Sequence, residues 1–85
     1  MNDNYYIYVN DYGTIKHFCN GKLHKTDGPA IEESNGTKAY FINGKLHRED
    51  GPAIEYFNGL KKYYLCGKEY SYEEWLKIKN LVVFL

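Results

Sequence analysis

The sequence predicts a mainly β protein, an antiparallel meander of three hairpin repeats of about 23 residues closed by one short C-terminal helix. Three observations predict it. Residues 20–32 return almost unchanged at 43–55, so one structural unit is used more than once. Asn-Gly pairs stand at 20–21, 35–36, 43–44 and 58–59, and Asn-Gly is the strongest short signal for a tight reversal between strands. After residue 70 the apolar period changes from that of a strand to that of a helix.

The repeat sets the organisation. Residues 20–42 and 43–65 are identical at 15 of 23 positions, where chance gives roughly one or two. The period runs on more weakly in both directions. Gly13, Gly36 and Gly59 fall in register, as do Gly21, Gly44 and Gly67. The whole chain, 1–85, reads as one domain. It holds a degenerate first unit at about 5–19, near-identical units at 20–42 and 43–65, and a cap at 66–85.

Turn chemistry gives each unit its shape. A type I′ turn needs positive φ at both central residues, which Asn-Gly supplies. Asp27-Gly28-Pro29 and Asp50-Gly51-Pro52 mark a second reversal, where Gly28 and Gly51 are permissive and Pro29 and Pro52 lack the N–H of a central strand. Between these marks lie short runs rich in Ile, Tyr and Phe, which read as strands. Long hairpins are expected over about 5–19, 29–42 and 52–65. If Asn35-Gly36 and Asn58-Gly59 are two-residue turns, Ile31 faces Tyr40, Ile54 faces Tyr63, Glu33 faces Lys38 and Glu55 faces Lys62. One face then carries Pro29, Ile31, Tyr40 and Ile42 as the buried side. The other carries Ala30, Glu32, Ala39 and Phe41.

The C-terminus begins with Ser71-Tyr72-Glu73-Glu74, the S-x-x-E pattern of a helix capping box. Trp75, Leu76, Ile78 and Leu81 follow at helical spacing, predicting a helix at about 72–80 that closes the open end of the sheet. The tail Leu81–Leu85 is read as a last strand or a contact between copies.

Composition narrows the function. Eleven basic and eleven acidic side chains give no net charge, which argues against binding to nucleic-acid backbones or membrane surfaces by charge alone. The longest apolar run, Leu81–Leu85, is a quarter of the ~20 residues of a membrane span. Residues 1–5 carry no basic n-region, so no secretory signal is expected and the cytoplasm is the expected location. Cys19 and Cys66 match no metal or redox spacing and are read as reduced thiols, with a disulfide as the alternative.

His24 and His47 recur one period apart, each three residues before an aspartate, Asp27 or Asp50. That pattern serves either a metal or general-base site or a hydrogen bond stapling His to a turn. The second reading is preferred, because catalytic groups occur once per site and these occur once per unit. The third unit replaces the histidine with Tyr70. No catalytic residue, metal ligand or cofactor is therefore expected, and the chain is read as non-enzymatic.

The unusual feature is the ten tyrosines. Tyr offers large, rigid contact area with a polar tip and is enriched at interfaces. A column of Phe18, Phe41 and Tyr64, joined by Tyr56, Phe57 and Lys62, is the candidate protein-binding surface.

A 23-residue hairpin unit built around Asn20-Gly21-Lys22 and Asn43-Gly44-Lys45, with an aromatic residue near each Asn-Gly, resembles the MORN repeat family, particularly its divergent bacterial and viral variants. It also looks like the Gly-Lys-Leu-His-x-x-Asp-Gly-Pro-Ala-Ile-Glu repeats of phage and giant-virus proteins. The resemblance covers about residues 5–70. It implies an elongated hairpin array used for protein contact or self-association, without chemistry of its own. It also suggests a small viral protein in the host cytoplasm that blocks a host defence component such as a CRISPR effector. Two further readings stand beside it. One is a sponge for nucleotide signals or single-stranded nucleic acid, built on Tyr and Lys. The other is a homo-oligomer formed through edge strands such as Tyr5–Val9.

Overall fold

The computed structural model describes residues 3–81. Ten strands and one helix follow in order: β1 Tyr5–Val9, β2 Ile15–Cys19, β3 Lys22–Leu23, β4 Ile31–Glu32, β5 Lys38–Ala39, β6 Phe41–Ile42, β7 Lys45–Leu46, β8 Ile54–Glu55, β9 Lys61–Leu65, β10 Lys68–Tyr70 and α1 Tyr72–Leu81. Every pairing is antiparallel, and the main sheet runs β1-β2-β4-β5-β8-β9-β10. The fold is therefore the mainly β meander with a C-terminal helix that the repeats predict. Of the expected tail strand or contact Leu81–Leu85, only Leu81 falls among the described residues, where it ends α1.

Two ladders lie side by side. One joins the outer parts of the hairpins through β4, β5 and β8. The other runs through the Asn-Gly turns. There β3 pairs β2, the Gly44 N–H donates to the Leu23 carbonyl and the Lys25 N–H to the Phe41 carbonyl. One period later the Gly67 N–H donates to Leu46 and the Arg48 N–H to Tyr64. The same bonds return 23 residues on because the same turns return. The result is a plate of 39 × 39 × 17 Å.

The two kinds of glycine turn are physically different, and this corrects the expected register. At Asn20-Gly21, Asn43-Gly44 and Cys66-Gly67 both residues have positive φ, about +50° and then +80 to +85°, as a type I′ turn requires. At the hairpin tips only the glycine does, with Gly36 at +96° and Gly59 at +90°. There the Gly36 N–H donates to the Glu33 carbonyl and the Glu33 N–H to the Thr37 carbonyl. That is a three-residue loop, a type I turn followed by a left-handed glycine. Asn35 spends its side chain instead, its Oδ1 accepting from the Thr37 N–H at 2.9 Å.

One extra loop residue shifts the pairing by one. Ile31 faces Ala39, Glu32 faces Lys38, Ile54 faces Lys62 and Glu55 faces both Lys38 and Lys61. The expected partners Tyr40 and Tyr63 come level with Ala30 and Ala53 instead, so the expected faces are also wrong. Tyr40 stands with Ala30 and Glu32, and Ile31 with Ala39. The His17 N–H donates to Ala30 and the Tyr40 N–H to Ala53, both at 2.8 Å. A large ring beside a small residue explains why Ala30 and Ala53 have no exposed surface.

The core is small. Its buried apolar residues are Cys19, Ala30, Ala53, Leu65 and Trp75, with Thr37 buried among them and donating no bulk. Thr37 Oγ1 accepts the Phe57 N–H at 3.1 Å and so ties one hairpin tip to the next. Both cysteines are free thiols, Cys19 buried and Cys66 exposed.

Cys66 gives the first testable consequence. It holds φ +50° at the position that Asn fills in the two preceding turns, and Asn tolerates this conformation far better. Cys66→Asn is expected to raise stability by about 0.5–1 kcal/mol, read as a higher urea midpoint at unchanged m.

The helix begins as the capping box dictates. Ser71 Oγ accepts the Glu74 N–H at 3.1 Å, and Glu74 Oε1 accepts the Ser71 N–H at 3.0 Å. These bonds to the Ser71 backbone and side chain hold the Glu74 carboxyl below its ordinary pKa. The unfolded chain then takes up this proton first as pH falls. The contribution is complete above the ordinary value of 4.5 and fades as pH drops through the lower folded value. Ser71→Ala is expected to cost about 1 kcal/mol at neutral pH. Its deficit against the parent should shrink in melts taken at pH 3.

Candidate functional site

The repeat places chemically similar side chains in rows, and two rows reach the surface. The first is a stripe along the Asn-Gly ladder. Tyr6 lies opposite Phe18 and stacks on it, with centroids 4.9 Å apart and planes 11° from parallel. Phe18 faces Leu23, Phe41 faces Leu46 and Tyr64 faces Glu69. The candidate residues Phe18, Phe41 and Tyr64 thus recur once per unit, and Phe18 and Phe41 are each paired across their hairpin with a leucine. All three rings are half-buried. Glu69 gathers Tyr64 and Lys62: the Tyr64 hydroxyl donates to it at 3.5 Å and Lys62 Nζ lies 3.8 Å away. Burial first and then Glu69 raise the Tyr64 pKa, so the ring keeps its hydroxyl proton. Tyr56 and Phe57 lie apart from this stripe. They belong to the tip of the third hairpin, at the far end of β9 from Tyr64, where Phe57 is 67% exposed.

The second row is a groove along the Asp-Gly-Pro loops, which reaches the head of the stripe at Tyr6 and Phe18. One section of about 450 Å³ is lined by Tyr5, Tyr6, Ile7, His17, Phe18 and His24, with Lys25 beside them. The next, of about 1110 Å³, is lined by Lys22, Lys25, Tyr40, Lys45 and Arg48, with Asp27, Glu49 and Asp50 at its rim. Sequence reasoning offered paired Tyr and Lys, with Lys22 and Lys45 as repeat residues, but did not single out Lys25 or Arg48. The available signal was Lys25 and Arg48, a positive charge kept one period apart inside the repeat.

Arg48 is the most heavily bonded side chain of this groove. Nε donates to Asp50 at 3.0 Å, and Nη1 donates to Glu55 at 2.6 Å and to the Pro52 carbonyl at 3.1 Å. Its guanidinium lies 3.9 Å from the Tyr40 ring centroid. Burial works against its charge, but the bonds to Glu55 and Asp50 outweigh this and hold its pKa above the ordinary value. In the unit before, Lys25 takes this place and His17 takes that of Tyr40. Burial, reinforced by the neighbouring Lys25, keeps the His17 pKa below its ordinary value.

His24 and His47 join successive units. Nδ1 of His24 accepts the Asn43 N–H at 2.9 Å, and Nδ1 of His47 accepts the Cys66 N–H at 2.8 Å. Each therefore presents an unprotonated Nδ1 to the turn that opens the following unit. His47 Nε2 faces Glu49 at 2.9 Å, which fixes that tautomer. Asp27 and Asp50 stand at the groove rim, Asp50 on Arg48. Among the described residues no three His, Cys, Asp or Glu side chains gather as metal ligands, and no helix is long and apolar enough to cross a membrane.

Compared with known proteins, the chain matches no family model, no curated protein and no solved structure.

Proposed function

We propose that this protein acts by binding another protein, without chemistry of its own, through the stripe from Tyr6 to Tyr64. The carrying observation is the stacked Tyr6–Phe18 pair, with Leu23 opposite Phe18, Phe41 opposite Leu46 and Tyr64 opposite Glu69 in successive Asn-Gly hairpins. Such a row offers rigid aromatic and aliphatic anchors whose own conformations are fixed by the sheet, so little entropy is lost on docking. The likeness to MORN-type and phage repeats supports the finer reading, a small viral protein that occupies a surface of a host defence component.

The test is capture from a host lysate with the parent protein and two variants. Phe41→Ser should lose the captured partner, and Lys45→Glu, in the groove, should keep it. Capture unaffected by Phe41→Ser, with both variants melting near the parent, removes the stripe from the function.

The groove favours a second reading. Lys22, Lys25 and Lys45 converge beside Tyr40, an arrangement suited to an anionic ring compound. A cyclic nucleotide that raises the melting temperature of the parent but not of Lys45→Glu would establish it in place of the first.

A further inference from the structure

We propose that the protein forms a two-fold homodimer in which β1 pairs antiparallel with β1 of a second copy, Ile7 opposite Ile7. The two ends of the sheet are finished differently. At the C-terminal end β10 carries Lys68 and Glu69, and α1 packs beside it. At the other end, among the described residues, β1 pairs with β2 alone and its second edge carries no strand. Natural edge strands are blunted by charge, proline or brevity. β1 is Tyr-Tyr-Ile-Tyr-Val, with five residues and none of those devices. All five side chains are exposed, from 46% at Tyr6 to 64% at Tyr5.

The backbone selects the register. The Asn10 N–H donates to Thr14 and the Asn20 N–H to Asn4, so the even-numbered residues of this strand turn their peptide groups toward β2. The N–H and C=O groups of Tyr5, Ile7 and Val9 therefore point outward. An antiparallel copy centred on Ile7 places Ile7 against Ile7 and Tyr5 against Val9 twice over, which joins all of these groups in six hydrogen bonds. The side chains agree. Tyr6 comes opposite Tyr8 of the second copy on one face, and the apolar Tyr5, Ile7 and Val9 meet on the other. No charge lies inside the paired segment. Asp3 comes opposite Asp11 at its two ends, so salt should strengthen the dimer. The strand exposes roughly 600 Å² on its five side chains, below the ~800 Å² per partner of a standard interface, so the dimer is weak. It also lays two stripes along one continuous sheet.

Sedimentation of the full chain from micromolar to millimolar concentration tests this. The parent should shift from monomer to dimer mass, with a micromolar dissociation constant. Ile7→Lys and Ile7→Glu should each weaken the dimer by at least about tenfold, since each sets like charges across the dyad. An equimolar mixture of the two should dimerise again. Independently of any variant, the amides of Tyr5, Ile7 and Val9 should gain protection from hydrogen exchange as concentration rises. A parent that stays monomeric to millimolar concentration overturns the proposal. So does a dimer indifferent to Ile7, or two folded variants whose mixture fails to dimerise.

Discussion

Trp75→Ala is expected to remove about 3–5 kcal/mol of stability and to lower the melting temperature by more than about 10 °C. Trp75 is 4% exposed, the one large ring in the small core. Its indole packs on Tyr63 at 4.9 Å and Tyr72 at 5.9 Å, and Lys79 Nζ sits 4.8 Å from it. Its Nε1–H donates to the Arg48 carbonyl at 2.9 Å. A domain of this size holds roughly 4–13 kcal/mol in all, so the loss is a large share. A ten-residue helix is too short to persist alone, so α1 should detach and its far-UV signal fall with it. Trp75→Phe keeps a ring on Tyr63 but leaves the carbonyl without its donor, and should cost about 1–2 kcal/mol. A Trp75→Ala protein melting within about 1 kcal/mol of the parent would show that the helix does not close the sheet.

The size of this effect follows from what the repeat leaves open. The residue at position 17, 40 or 63 of each unit presents a flat ring to the groove side. Arg48 covers Tyr40, and Lys25 stands by His17. The third unit has Ser71 at the corresponding place, too short to reach Tyr63. Trp75 fills that vacancy from the helix. The cap is thus a substitute for a missing cation, and the serine that creates the gap also starts the helix that fills it.

This division also explains what was legible in the sequence. Type I′ turns, strand identity, the meander and the helix start were legible because they are local, being decided by Asn-Gly φ preferences, alternation and the Ser71–Glu74 box. The hairpin register was not. Asn35-Gly36 and Asn20-Gly21 are the same dipeptide, yet only the first can use its side chain to hold Thr37 and forgo positive φ. The tip at Asn58-Gly59 makes the same choice, with Asn58 Oδ1 accepting the Leu60 N–H, so what separates the two turn types is the length of hairpin around the dipeptide and not the dipeptide itself. The aromatic stripe was legible as a period, since Phe18, Phe41 and Tyr64 fall one unit apart. The groove was not, because the loop at 24–29 must fold over the sheet before Lys22, Lys25 and Lys45 converge.

The same comparison between near-identical units yields the second large effect, at Arg48. Arg48→Ala is expected to cost about 2–3 kcal/mol, since it removes the bonds to Glu55, Asp50 and the Pro52 carbonyl and uncovers the Tyr40 ring. Arg48→Lys should cost less than half of that, because Lys25 already serves the preceding unit. The adjoining glycine gives an internal check. A Cβ on Gly51 would lie 2.9 Å from Arg48 Cζ and 3.0 Å from Nη1, so the pinned guanidinium must move. On Gly28 it would lie 3.5 Å from Lys25 Nζ, an ordinary contact with a mobile tip. Gly51→Ala should therefore destabilise by about 1–2 kcal/mol and Gly28→Ala by much less, although both sit in Asp-Gly-Pro-Ala. In the Arg48→Lys background the Gly51→Ala penalty should largely disappear, a coupling that chemical denaturation of the four proteins measures directly. Equal penalties in the two units, or additive ones at 48 and 51, would show that the guanidinium seat does not organise the second repeat.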